Sequence, residues 1–221
     1  MKPISLDNLQ QLSLTKGSDR VLNNLITSDL SKVTDMPQWT AFCNVNGQVI
    51  TTTWIKHIES GYVISCHTSV VNTLIAHIQR HALRNQFHIE STKETCIPAN
   101  IHSIELAIEH QYPIITEETS EQFIPQMLGM SHHEGAINLE KGCYLGQEII
   151  MRAEQLGKVK RTLRTGTIHQ ATEGYDIFDP NAKVCGKVIN VSEHKPYIFS
   201  MVANTNLTHL VLDDRPITLL S

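Results

Sequence analysis

Lys141-Gly142-Cys143-Tyr144-Leu145-Gly146-Gln147-Glu148, running on through Ile149-Ile150-Met151-Arg152, gathers a reactive side chain, two glycines and several ionisable groups into one short window. Upstream, Gly135-Ala136-Ile137-Asn138-Leu139 reads as a short strand. Residues 144–155 read as a helix that turns Leu145, Ile149 and Ile150 toward the core, with Gly142 in the turn between. A cysteine at the first turn of a helix faces unpaired backbone N–H groups and the positive end of the helix dipole. Lys141 adds a cation beside it. Such a setting favours the thiolate, the form that nucleophilic attack or soft-metal ligation needs. Gln147 would share the face of Cys143 and reach a ligand there, and Glu148 and Arg152 have the order and spacing of a helical ion pair. The same letters also fit a glycine-punctuated helix start around a small buried cysteine, and the pattern alone does not separate the two.

Working outward, the 221 residues suffice for one large domain or two small ones, and 41% hydrophobic with 18% charged residues is ordinary for a globular protein. A net charge of -4 argues against a strongly basic nucleic-acid binder. No run approaches the roughly 20 apolar residues of a membrane span, and MKPISLDNLQ lacks the apolar core of a signal peptide, so a cytoplasmic protein is expected. Cys43, Cys66, Cys96, Cys143 and Cys185 are widely spaced, without a C-x-x-C pair. That spacing speaks against a disulfide framework and against a self-contained zinc or iron–sulfur site. Phosphate-binding and nucleophile-elbow glycine motifs are absent.

In chain order, residues 4–6 and 12–15 suggest short strands, and Ser18 or Asp19 caps a helix carrying Val21, Leu22, Leu25 and Ile26. Thr27-Ser28-Asp29 is a polar turn. Residues 39–45 and 49–58 form a hairpin around Asn46-Gly47, and residues 62–66 complete a meander. Residues 69–83 give a helix with Val71, Leu74, Ile75 and Ile78 on one face; its His77 and His81 are read as surface histidines rather than metal ligands. Residues 86–89 return as a strand, so the ingredients are those of an α+β layer, a helix against an antiparallel sheet. Residues 90–99 are a connector, and residues 101–110 a helix with Ile101, Ile104 and Ile108 inward. His132-His133-Glu134 is read as a solvated loop. Beyond Arg152 a basic strip, Lys158, Lys160, Arg161 and Arg164, leads into short β-like runs at 162–168, 183–191, 198–202 and 210–212. The expected division is an α+β region over 1–157 and a small C-terminal β-barrel over 158–221.

The run Lys141 to Glu148, with Arg152 and Lys160-Arg161 beyond it, closely resembles the signature of the YgfZ family of folate-binding proteins, itself related in fold to the aminomethyltransferase (T-protein) of the glycine cleavage system. Gly17-Ser18-Asp19, Thr27-Ser28-Asp29, Asn46-Gly47, Phe123-Ile124-Pro125-Gln126 and Gly186 resemble further family elements. The resemblance implies a ring-like T-protein fold around a folate-sized cavity, and a tetrahydrofolate or one-carbon folate cofactor. It also implies a role in maintaining iron–sulfur enzymes, such as tRNA-modifying methylthiotransferases, and through them in tRNA modification. Cys143 is then the functionally critical residue, and Lys141, Gly142, Tyr144, Gln147, Glu148, Arg152 and Asp29 are its setting and the cofactor contacts.

Three departures shape the expectation. The hairpin arm where aminomethyltransferases place a catalytic carboxylate reads Val49-Ile50-Thr51-Thr52-Thr53, which argues against aminomethyl transfer because a hydroxyl does not replace an anion. Tryptophans that some relatives use for folate align with Gln10 and Ser103. The 90–99 connector stands where longer relatives carry a substantial insertion. Folate-dependent one-carbon transfer is the alternative function, and a non-enzymatic tRNA- or partner-binding module using the basic strip is a third.

Overall fold

In strands β2 (Gln38–Cys43) and β3 (Val49–Ile58) nearly every residue is buried, so neither face of their sheet is open to water. The computed structural model describes residues 6–82, 87–156, 159–168, 174–192, 197–213 and 215–220. With β1 (Leu9–Thr15), β4 (Gly61–His67) and β5 (Ile89–Ser91), these strands form an antiparallel sheet in the order β2-β3-β4-β1-β5. Side chains alternate along each strand, so one face collects Leu12, Leu14, Phe42, Ile55, Ile64 and Cys66. This face packs on α1 (Asp19–Leu25) and α2 (Val71–Ala82) through Leu22, Leu25, Leu74 and Ile78. The opposite face, with Trp39, Ala41, Cys43, Trp54 and Val63, packs on α3 (Ile104–Glu109), on Tyr144 and on Ile150 of α4 (Gln147–Leu156). Two helices on one side and loops, helices and a second sheet on the other account for the burial of both faces.

The second sheet is antiparallel and curled like a barrel. It comprises β6 (Arg161–Ile168), β7 (Asp176–Phe178), β8 (Val184–Val191), β9 (Tyr197–Asn204), β10 (Val211–Leu212), β11 (Arg215–Pro216) and β12 (Thr218–Leu219), ordered β11-β10-β7-β8-β9-β6-β12. Ile177, Val188, Phe199, Met201 and Leu212 fill its interior. Ile189 and Val202 point the other way, into the core of the first sheet. Asn190 fastens the junction: its Oδ1 accepts from the Ile114 N–H and its Nδ2 donates to the Ile114 carbonyl, both at 2.8 Å.

The meander, the α2 face and the inward Ile101, Ile104 and Ile108 agree with the sequence reading, while the strand after α2 lies at Ile89–Ser91, later than the expected 86–89 and running into the expected connector. Four expectations need correction. Residues 135–139 are not a strand: the Asn138 N–H is taken by the Thr27 carbonyl, and the Asn138 Oδ1 accepts from the N–H groups of Glu140 and Lys141, closing a turn. Leu6 begins a 3-10 turn, Leu6–Asn8, rather than ending a strand. His77 is buried, not a surface histidine; its ring packs 4.8 Å from that of His81, and burial pulls its pKa down to about 4. His133 is half-buried among Trp39 and Tyr112, with its Nε2 3.0 Å from the Gln111 carbonyl, because a neutral imidazole packs as an aromatic ring. Residues 4–5, 83, 86, 157 and 158, which enter the expected elements, the domain boundary and the basic strip, lie outside the described residues.

Candidate functional site

The signature is a clip. Lys141 leaves the Asn138 turn and sends its ammonium onto the C-terminal end of α1, donating to the carbonyls of Asn23 (2.6 Å), Ile26 (2.7 Å) and Ser28 (2.7 Å). Asn23 belongs to the last turn of α1, whose carbonyls lack intrahelical partners, and Ile26 and Ser28 follow directly after it, so the cation also meets the negative end of the helix dipole. The ammonium lies 4.6 Å from the centre of the Tyr144 ring, a cation–π contact that closes its remaining side. Burial pulls the Lys141 pKa down to about 7, and the nearby Asp29 carboxylate works in the opposite direction.

Two residues on, the chain is tied down again. The Leu145 N–H donates to the Asn24 carbonyl at 2.9 Å. Gly146 then takes a left-handed conformation (φ 78°) directly against the β2–β3 turn: a Cβ there would sit 2.6 Å from the Asn44 carbonyl oxygen and 2.6 Å from the Cα of Gly47. Gly47 faces it with φ 70°, and a Cβ on Gly47 would lie 3.1 Å from the Ile149 Cβ. The second glycine of the signature and the hairpin glycine are therefore two halves of one close backbone contact. Gln147 opens α4, and its Oε1 accepts from the Tyr144 N–H at 3.3 Å. Behind it, the Gln126 Nε2 donates to the Ile150 carbonyl and to Glu154, and Ser131 donates to Glu154, which seats α4 on the Pro125–Leu128 turn.

Between the two anchor points stand Gly142 and Cys143, both exposed. Gly142 has no positive φ, and a Cβ on it would meet nothing within 4 Å. Nothing in the fold explains this glycine. The expected geometry of the thiol is corrected accordingly. α4 begins at Gln147, after Gly146, so Cys143 is not in a helical first turn, Gln147 does not share its face, and the Lys141 cation is turned onto α1 instead of toward the sulfur.

The other sequence-predicted positions are also placed. Asp29 caps the Leu30–Lys32 turn: the Ser31 hydroxyl donates to its carboxylate at 2.7 Å and the Ser31 N–H at 3.0 Å, and these hydrogen bonds hold its carboxyl below the usual range. Tyr144 is buried, its hydroxyl makes no hydrogen bond among the described residues, and burial pushes its pKa up. Glu148 and Arg152 form the expected pair at 2.6 Å, on an exposed helix face where such a pair adds little stability. Of the basic strip, Lys160 and Arg161 are exposed, whereas Arg164 donates to the carbonyls of Asn204 and Leu207. Thr51, Thr52 and Thr53 are buried; Thr52 donates to the Pro113 carbonyl and Thr53 to that of Ser65, so the arm is part of the sheet's own bonding. Among the described residues, no three His, Cys, Asp or Glu side chains gather to hold a metal.

Thr27, which the sequence offered only as part of the polar turn Thr27-Ser28-Asp29, has a bonding role that the sequence did not show: its buried hydroxyl donates to the Ala136 carbonyl at 2.7 Å and accepts from the Ala41 N–H, so that the strap before the signature is pinned to β2.

Of the five free cysteines, Cys43, Cys66, Cys96 and Cys185 are buried and Cys143 is exposed. Burial pushes all four buried thiols up, Cys66 to about 12. A thiol-reactive chromogenic disulfide is therefore expected to titrate one cysteine in the native protein and four more after denaturation. Loss of the fast reaction in Cys143→Ser assigns it, and a second fast thiol would contradict the burial pattern.

The chain has the fold of the glycine cleavage aminomethyltransferases: it superposes on aminomethyltransferase T from Bartonella henselae with a TM-score of 0.71, covering 97% of this chain and 83% of that one at 9% identity. No protein-family model matches the chain. In sequence it is 42% identical over 74 residues to the tRNA-modifying protein YgfZ of Colwellia psychrerythraea, covering 33% of this chain and 22% of that protein. It is 31% identical over 110 residues to YgfZ of Escherichia fergusonii, covering 50% of this chain and 29% of that protein. These segments are similar to YgfZ proteins, and each matched region spans less than a third of the relative's length.

Proposed function

We propose that this protein serves tRNA modification in the cytoplasm as YgfZ proteins do, by maintaining iron–sulfur enzymes such as methylthiotransferases, with the Cys143 thiol as the group that meets the client. The observation that carries this reading is the arrangement around Cys143. Lys141, Leu145 and Gly146 are all engaged inside the chain, and what they jointly leave exposed is Gly142-Cys143. A glycine with open space before it lets a partner approach the neighbouring sulfur closely, which a side chain there would hinder. Absence of a carboxylate in the Thr51–Thr53 arm works against aminomethyl transfer as the alternative.

The signature residues do not fit tetrahydrofolate, the cofactor the resemblance implies. The Lys141 ammonium is spent on three backbone carbonyls, Asp29 Oδ1 accepts from Ser31, Gln147 Oε1 accepts from the Tyr144 N–H, and Tyr144 is buried. In this reading folate belongs to the fold rather than to the signature, and no step is routed through it. The direct test is complementation of a bacterium lacking its YgfZ protein. This chain is expected to restore the methylthiolated nucleosides of its tRNA, measured by mass spectrometry; a fully expressed, folded chain that restores none would overturn the proposal.

A further inference from the structure

The outer face of the barrel carries an apolar row. Alternation along β7, β8 and β10 sends Ile177, Cys185 and Leu212 into the barrel core and leaves Phe178, Val184 and Val211 outside. The three are neighbours across strands, with Val211 opposite Phe178 and Phe178 opposite Val184. A register shift between Ile177 and Phe178 brings Val184, rather than Cys185, opposite Phe178 and so keeps the row on one face. Phe178 and Val211 are half-buried, and Val184 is 42% exposed. Further along the same two strands Asp176 and Lys187 pair at 3.3 Å, the ordinary pattern of a solvated face, so the apolar row is a local departure from it.

Phe178 and Val211 line a groove of about 380 Å³ together with Asp179, Pro180, Ala182 and Asp213. Its ionisable lining residues are both acidic, and they come from two different turns, the β7–β8 connection and the end of β10. Asp179 is held in place by Oδ1, which accepts from the N–H groups of Asn181 and Lys183, both at 2.9 Å; its Oδ2 has no partner among the described residues. The exposed Asp213 carboxylate makes no hydrogen bond or ion pair among them either. Lys183 is next to this turn but does not line the groove. An apolar surface with carboxylates of one sign repels acidic ligands and phosphates and is complementary to a cationic group on an aliphatic stem.

We propose that this groove docks a short basic and aliphatic segment of a partner protein, with aliphatic side chains on Phe178, Val184 and Val211 and arginines facing Asp179 and Asp213. Arginine fits better than lysine because its methylene stem covers apolar surface while its weakly hydrated guanidinium donates to a carboxylate through two parallel N–H groups. A bare metal ion does not fit, since a hard cation needs several oxygens around it and half of this lining is apolar. The groove is separate from the signature, and its role stands whatever Cys143 does.

The test is fluorescence anisotropy on the full chain with three labelled peptides at one ionic strength: alternating leucine and arginine, alternating glycine and arginine, and alternating leucine and glutamate. The first is expected to bind saturably and at least roughly tenfold tighter than either of the others. The double variant Asp179→Asn/Asp213→Asn is expected to weaken it roughly tenfold or more. Asparagine keeps the acceptor of the Asp179 turn and tolerates the left-handed φ of 48° at position 213, so an unchanged melting temperature accompanies that loss. In the unsubstituted protein, amide NMR shifts caused by the peptide are expected to centre on Phe178, Val184 and Val211, a readout that does not depend on how the variant folds. Equal binding of the glycine–arginine peptide would show attraction to the net charge of -4 alone and overturn the site. Shifts centred elsewhere, binding unchanged in the double variant, or no saturable binding would overturn it as well.

Discussion

Replacing Gly146 by alanine is expected to destabilise the protein by about 4 kcal/mol, lowering its melting temperature by roughly 8–16 °C. Two effects add. A left-handed φ of 78° costs an alanine about 1–2 kcal/mol that a glycine does not lose. The added Cβ would also stand 2.6 Å from the Asn44 oxygen and from the Gly47 Cα, and these are backbone atoms that no rotamer change can move aside. Relief requires the hairpin turn to shift away from α4, opening the contact between Gly47 and Ile149. Gly142→Ala is the matched control. With nothing within 4 Å of its Cβ, it is expected to unfold within about 0.5 kcal/mol of the unsubstituted protein. Thermal unfolding followed by circular dichroism checks both, and equal melting temperatures for the two variants would contradict the division of roles between the signature glycines.

Lys141→Met carries the second large effect. Methionine keeps most of the aliphatic length but strips three donors from the carbonyls of Asn23, Ile26 and Ser28. Leaving buried acceptors unsatisfied costs about 1–3 kcal/mol each, and removal of a partly buried charge returns part of that. A net loss of about 3 kcal/mol, roughly 6–12 °C in melting temperature, is expected. If Lys141 instead acted on the thiol, the substitution would leave stability unchanged and slow the reaction of Cys143 with disulfide reagents. Denaturant unfolding and thiol kinetics on the same variant distinguish the two.

Much of the scaffold was legible in the chain because its signals are local. The α2 face repeats at helical spacing, Asn46-Gly47 marks a turn, and the runs 39–45 and 49–58 are rich in β-forming residues, which the structure builds as Gln38–Cys43 and Val49–Ile58. The failures share a cause. Residues 135–139 look like a strand by composition, yet Thr27, more than a hundred positions earlier, takes the N–H of Asn138. Helix α4 starts three residues later than its periodicity suggests, since Gly146 is held in a non-helical conformation by a hairpin a hundred residues away. Lys141 was read beside its sequence neighbour Cys143, whereas its partners are on α1. The eight-residue signature carries the resemblance to the YgfZ family, but which of its members are structural is a tertiary fact.

The most direct measurement is the content of methylthiolated nucleosides in tRNA from a bacterium lacking its YgfZ protein and carrying the Cys143→Ser form of this chain. Serine at an exposed position with no hydrogen-bond partner among the described residues is expected to leave melting temperature and expression unchanged, while methylthiolation stays at the level of the empty vector. Restoration by Cys143→Ser to the level reached with the unsubstituted chain would contradict the assignment of function to this thiol.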